Sequence, residues 1–441
     1  MIVKRRRSHP TRSDPLTMPD GTATAHLFKP KLFNLFAEGY GLRFFRSDAL
    51  AGLTVAIVAL PLSMAIAVAS GVTPERGLYT AIIGGFFVSA LGGSRFQIGG
   101  PAGAFIVVVA ATVNEFGLEG LLLTVLLSGA MLTVLGLSRL GALIRYMPHP
   151  VTVGFTCAIA VTILASQLKD LGGLMLTGAE PGHFFPKLIA LGRALPTLNI
   201  AALAIGAGSA ALIFALRWWR PNWPGMLIAV ALSSIGALML GLPVETIGSR
   251  FGAMPDHLPP PQLPPISLEL IWQVLPATIT FTLLGGVESL LSAKVADGMT
   301  GRKHRSNMEL LAQGLANIAS ALFGGISVTG TIARTATNIR AGAKSPLSGI
   351  MHAAFLLAFV LVAAPLASYV PLASLAGVLV VVSWSMAEKK EFVRLLPDWR
   401  AAAMLLATFG LTLIKDLTAG ILAGCVLAAA FAIIDRQKAK G

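Results

Sequence analysis

Apolar runs of membrane-spanning length fill almost the whole chain, and in two places a short glycine-rich stretch interrupts them. The first is Gly99-Gly100-Pro101-Ala102-Gly103-Ala104; the second is Gly330-Thr331-Ile332-Ala333-Arg334-Thr335. Each follows a Gly-Gly pair that ends an apolar run, Gly92-Gly93 or Gly324-Gly325, and each opens a short apolar segment. A bilayer offers no water to a peptide group, so unwound backbone at membrane depth survives only where protein or a water-filled cavity satisfies it. Two such breaks in corresponding halves of a polytopic chain point to the binding site of a secondary transporter. The expected role is movement of a small anion across a membrane.

Charge supports the membrane reading. Of 441 residues only 12% are charged and 55% are hydrophobic, against roughly 25% charged in soluble proteins. Apolar runs lie at about 48–70, 74–92, 101–113, 118–137, 150–168, 198–216 and 223–242. A proline-rich stretch, Pro243 to Pro265, precedes a second set at about 268–295, 307–323, 331–341, 345–366, 370–386, 399–414 and 417–435. The fold expected is all-α and polytopic, with about fourteen transmembrane segments. An odd number of spans on each side of the linker orients the halves oppositely, as a seven-plus-seven inverted repeat. The divisions are a tail at 1–46, a first repeat at 47–242, a linker at 243–266, a second repeat at 267–435 and a tail at 436–441.

The net charge of +14 raises nucleic acid as a partner, but the basic residues sit between apolar runs. Lys4 to Arg7, Arg139 and Arg145, Arg217 and Arg220, Arg302 to Arg305, Lys389 and Lys390, and Arg436 to Lys440 form the positive-inside pattern of cytoplasmic loops and tails. That places both termini in the cytoplasm and the chain in the cell's inner (plasma) membrane, with no nucleic acid as partner. The basic N-terminus has no adjacent apolar core with a cleavage site, so no signal peptide is expected. Residues 27–46 read as an amphipathic surface helix, and Phe184 to Leu195 as an interfacial one. Cys157 and Cys425 lie in apolar runs and read as small hydrophobes. With no phosphate loop and no metal-ligand motif, ATP-driven pumping, enzyme activity and a bound metal are not expected; a proton or Na+ is the only cofactor.

The candidate site is built from the two breaks. A helix start leaves N–H groups without intrahelical partners and carries roughly half a positive charge, so Gly100, Pro101, Ala102, Gly330 and Thr331 are expected to hold an anion through backbone. Arg334 lies in the first turn after its break, where the helix dipole and the hydrocarbon both disfavour a cation; a bound anion offsets both. Glu288, deep in an apolar span, is placed to exchange a proton during a transport cycle, or with Ser292 one turn on to give oxygens to a cation. The competing reading of Glu288 is a structural salt bridge to Arg334. Ser63, after Pro61, either lines the pocket or caps the proline's distortion. Gln97 is expected to bond freed backbone, Gln313, Asn317 and Asn338 to join helices, and His149 to sit in a loop.

These residues resemble the SulP family of sulfate permeases and related anion exchangers. The resemblance rests on Pro61-Leu62-Ser63-Met64-Ala65 with Gly71-Val72-Thr73-Pro74 and Gly77-Leu78-Tyr79, and on Ile98 to Ala104. It extends through Met147-Pro148-His149-Pro150-Val151, Glu288-Ser289-Leu290-Leu291, Asn307 to Leu310 with Gln313 to Asn317, and Thr335 to Asn338 before Gly342 to Gly349. It implies a core domain of spans 1–4 and 8–11 carrying substrate past a gate domain of spans 5–7 and 12–14, elevator fashion, commonly as a homodimer. It matches Glu288 to the acidic coupling residue of the eighth span. Gly330 and Thr331 match the backbone site of the tenth, and Arg334 a basic residue found there in some members. Three departures stand out. Leu62 replaces a common glutamine, Ile332 stands where sodium-coupled bicarbonate members place threonine, and no cytoplasmic STAS domain follows the last span. The expected activity is proton-coupled symport of sulfate. Bicarbonate or dicarboxylate transport, exchange, sodium coupling and an anion channel remain as alternatives.

Overall fold

The computed structural model describes residues 28–35, 39–140, 148–178, 180–181, 183–221, 223–415 and 417–438. The polar N-terminal tail, part of the 27–46 segment, residues 141–147 with Arg145 and Met147, and residues 439–441 lie outside the described residues.

Helix α1 (Leu42–Ala69) is followed by α2 (Pro74–Tyr79), which passes through one wide π turn at Thr80–Gly84 into α3 (Gly85–Leu91). Strand β1 (Gly99–Gly100) and a tight 3-10 turn at Gly103–Phe105 then lead into α4 (Ile106–Leu137). α4 is two helical stretches broken at Gly117, whose φ of 68° and ψ of −171° need glycine, so the runs read at 101–113 and 118–137 stay distinct. Next come α5 (His149–Gly172), α6 (Phe184–Ala194), α7 (Ile200–Trp219), α8 (Gly225–Met239) and the short α9 (Ile247–Phe251). The second half holds α10 (Leu268–Thr300), α11 (Ser306–Leu322), β2 (Thr329–Gly330), α12 (Ile332–Arg340) and α13 (Leu347–Ala367). It ends with α14 (Leu372–Met386), α15 (Lys389–Leu395), α16 (Trp399–Ile414) and α17 (Leu417–Lys438).

Among the described residues seven helices are long and apolar enough to cross a membrane, and three further apolar helices are shorter. α10, at 33 residues, is roughly 50 Å long at 1.5 Å per residue, more than the bilayer's hydrocarbon core of about 30 Å. Surface helix starts are capped by side chains in the usual way: Asn199 Oδ1 accepts from Ala201 and Ala202, Ser267 Oγ from Leu270, and Asp398 from Arg400.

The helices pack in two groups. α1 lies on α13, and α4 on α10 and α11; separately, α14 lies on α5 and α7, and α16 on α5 and α17. The first group contains both strands. The groups meet along small residues, as at Gly103, which faces Ile163 of α5 and Met386 of α14.

One local reading is corrected. His149 is the first residue of α5, not a loop residue, and its Nε2 lies 3.1 Å from Glu391 Oε1. α6 forms over Phe184–Ala194. The Lys187 side chain on it is buried, 2.8 Å from Glu180 and donating to Ser166 at 3.0 Å.

Candidate functional site

The two glycine-rich breaks meet. β1 and β2 pair antiparallel, Gly99 opposite Gly330 and Gly100 opposite Thr329, and Thr331 N–H donates to the Ile98 carbonyl at 3.0 Å. Antiparallel pairing sends the chain beyond each strand in opposite directions, so the starts of α4 and α12 are placed at the same crossing. Backbone that is not helical at this depth must find partners inside the protein, and buried side chains supply them. Asn317 of α11 accepts from Val328 N–H at 3.0 Å and donates to the Val328 carbonyl at 2.8 Å. Asn338 of α12 donates to the Phe96 carbonyl at 2.9 Å. Ser289 of α10 accepts from Gly330 N–H at 3.2 Å and bonds Thr329 Oγ1 at 2.7 Å. Thr335 accepts from Ile98 N–H at 3.1 Å.

Gln97, expected to bond freed backbone, donates to the Ser289 carbonyl of α10 at 3.1 Å. Its amide lies across Gly330, so close that a Cβ there would fall 1.5 Å from Nε2. Asn317 and Asn338 hold the breaks themselves, a more specific task than joining helices.

Arg334 stands in the first turn of α12 and is only 2% exposed. Its Nη2 donates to Ser63 Oγ at 3.1 Å and to the Pro101 carbonyl at 3.3 Å. Nε and Nη1 are buried with no hydrogen-bond partner. Nη1 occupies the space beside Gly100: a Cβ on that residue would lie 2.0 Å from it. So one guanidinium joins α1, the β1–α4 break and α12, and Ser63, Gly100, Pro101 and Arg334 come together. Ala102, extended at φ −115° and ψ 145°, precedes the turn into α4 with no side-chain cap, and Thr331 precedes α12 likewise. Ile332, 44% exposed, and Ala333 reach the surface, and Thr331 is half-buried.

Glu288 is half-buried on α10, with Oε2 buried and unpartnered. Among the described residues no ion pair joins it to Arg334, whose bonds go to Ser63 and Pro101. Ser292, one turn along, is turned to Thr335 Oγ1 at 3.2 Å. It braces α12 against α10.

The sequence pattern of the sulfate permease family matches residues 45–409. The chain belongs to the sulfate permease family. Members are transporters rather than enzymes. Similar relatives include "Putative sulfate transporter YvdB" of Bacillus subtilis, 44% identical over 90% of this chain and 75% of that one. "Bicarbonate transporter BicA" of Picosynechococcus is 31% identical over 87% of this chain and 69% of that one. Among solved structures, the transmembrane domain of a cyanobacterial bicarbonate transporter BicA superposes with a TM-score of 0.76 at 30% identity, over 86% of this chain and 98% of that domain. SLC26A9 superposes with a TM-score of 0.85 over 94% of this chain and 69% of its own, at 18% identity, a likeness of fold. In this family member the residues that sequence reasoning passed over are Ser289, Thr329 and Thr335. Each is a hydroxyl in an apolar helix or beside a strand, a pattern shared with many packing contacts in membranes. Only proximity to the breaks distinguishes them.

Proposed function

We propose that this sulfate permease family member is a secondary active transporter of a small inorganic anion, sulfate first, moved with a proton by an elevator displacement of one helix group against the other. The observation that carries this reading is Arg334. A buried charge is costly unless it is paired, yet among the described residues no carboxylate pairs with this one, and its Nε and Nη1 have no acceptor. An oxyanion between Gly100, Pro101 and Thr331 would meet guanidinium N–H groups, the uncapped N–H groups of α12 and the Ser63 hydroxyl. Charge-assisted bonds of this kind are the strong ones, while the helix-start contribution is about 0.3–2 kcal/mol. The sum holds an anion without trapping it.

Glu288 is the coupling residue in this reading, because it is an unpaired carboxyl on the helix that also supplies Ser289 to β2. Its protonation would remove one negative charge from the neighbourhood of an arriving anion. Proton and anion would then load together. The termini lie in the cytoplasm of a cell whose inner membrane holds the protein, as a homodimer.

The test is uptake of labelled sulfate, bicarbonate and fumarate into proteoliposomes under separate proton and sodium gradients. Inward protons should drive accumulation of sulfate. Glu288→Gln should abolish that accumulation while anion binding persists; accumulation at the wild-type level in this variant would sink the coupling role. Bicarbonate is the second reading, favoured by the similarity to BicA in sequence and fold, and the same assay separates the two.

A further inference from the structure

His352 on α13 is fully buried, and neither of its ring nitrogens has a hydrogen-bond partner among the described residues. Buried polar groups are nearly always bonded, so an exception asks for a reason. The backbone here is locked against α1: a Cβ on Gly52 would fall 2.5 Å from the Ser348 carbonyl oxygen and 2.9 Å from His352 N. The ring lies against α3. Its Cε1 is 3.8 Å from where a Cβ on Gly85 would be, and that same point is 3.0 Å from the Gly99 carbonyl oxygen of β1.

One turn earlier, Ala81 makes the matching contact with the next residue of β1. Its Cα lies 3.8 Å from where a Cβ on Gly100 would be, the point that Arg334 Nη1 crowds at 2.0 Å. The wide π turn at Thr80–Gly84 carries Ala81 and ends at Gly85; such turns are frequent at functional sites. The imidazole and the guanidinium therefore stand beside consecutive residues of one strand. The elements packed against α13 are α1, the π turn and α3. The π turn, α3 and α13 itself carry no other ionisable side chain. On α1, Arg43 and Arg46 are exposed, and Asp48 is engaged by Tyr40, Lys344 and Ser345. Arg334 is the charge that acts on the ring.

Charge arithmetic gives the ring a task. Arg334 supplies one positive charge, whereas a divalent oxyanion such as sulfate brings two negative ones. A second cation beside Arg334 is costly while the site is empty, and a divalent anion removes that cost. We infer that His352 takes up a proton from solvent when a divalent oxyanion binds beside Arg334, and returns it when the anion leaves. It is a positioning residue that acts through its charge, a second proton site beside the one at Glu288. The inference rests on the anion site proposed above. Linkage is reciprocal: the anion favours the proton and the proton favours the anion. An unperturbed imidazole changes charge between about pH 5 and 8, the range in which this exchange is readily driven.

The experiment measures sulfate binding to the purified full chain in phosphatidylcholine nanodiscs. Calorimetry in buffers of different ionisation enthalpy counts the protons taken up with each anion. The Glu288→Gln background removes the carboxyl, so the remaining uptake, close to one proton, reports the ring. Sulfate affinity in that background should rise by up to about tenfold for each pH unit of acidification. Adding His352→Gln should abolish both the uptake and the pH dependence, and weaken sulfate binding in mild acid by about tenfold. Where the double variant fails to fold, ring-nitrogen NMR of histidine-labelled Glu288→Gln protein decides: sulfate should convert one solvent-shielded ring to imidazolium. Sulfate binding with no proton taken up, uptake that survives the loss of His352, or a buried ring that stays neutral overturns the inference and leaves the anion site standing. Wild-type protein that binds no sulfate overturns the sulfate reading and this inference together.

Discussion

At the scale of single residues, the site turns on where one guanidinium can go. Arg334 is held by Ser63 and the Pro101 carbonyl, and its Nη1 lies beside Gly100 with no acceptor among the described residues. Arg334→Ala should weaken anion binding by about 1.5–3 kcal/mol, the worth of hydrogen bonds to a charged group, measured by calorimetry at fixed ionic strength. Its melting temperature should change little, because the variant removes a buried unpaired charge along with its bonds. Gly100→Ala tests the same space from the opposite side. The added methyl falls 2.0 Å from Nη1, and the side chain's far end can swing away, so uptake should fall sharply while the fold persists. Arg334 was legible in the sequence because a cation in an apolar half-helix has few explanations. The hydroxyl of Ser63 was legible only as one of two options, since its partner is 271 positions away.

At the scale of elements, the breaks are stable because neighbouring helices complete them. Asn317 serves both the N–H and the carbonyl of Val328. Asn317→Ala should leave both without a partner and lower stability by about 1–3 kcal/mol for each group stranded, seen as a lower melting temperature in detergent. Equal melting would mean that β2 does not need α11. The spans and both breaks could be read from apolar runs and glycine pairs, because hydrocarbon imposes length and backbone satisfaction on any sequence. The break within α4 was legible too: Gly117, with φ 68°, falls between the runs read at 101–113 and 118–137. The burial of Lys187 was not, since helical spacing of charges describes a surface face unless an acid such as Glu180 folds over it.

At the scale of the whole molecule, the proposed elevator mechanism has the group that holds the crossing slide past the group built on α5 and α14. Gly103 sits on that boundary, with Ile163 3.6 Å and Met386 3.8 Å from where its Cβ would be. Those are ordinary contact distances, so Gly103→Ala should transport normally. Gly103→Trp should cut the uptake rate severely while leaving equilibrium anion binding near wild type. A loss of binding in proportion to uptake would assign Gly103 to the site and not to the sliding surface. The division into two groups was accessible from the sequence only through family resemblance, because apolar composition does not say which helices touch.

The pairing of β1 with β2 also sets an order of assembly. Gly99 meets Gly330 only after about 230 further residues have been made. During synthesis the first half therefore enters the membrane with its break still short of hydrogen bonds, and long-range pairing of this kind is slow to form. A chain that stops early has one glycine-rich break, no Arg334 and no second helix start. Premature termination thus leaves the proposed anion site with only one of its two halves.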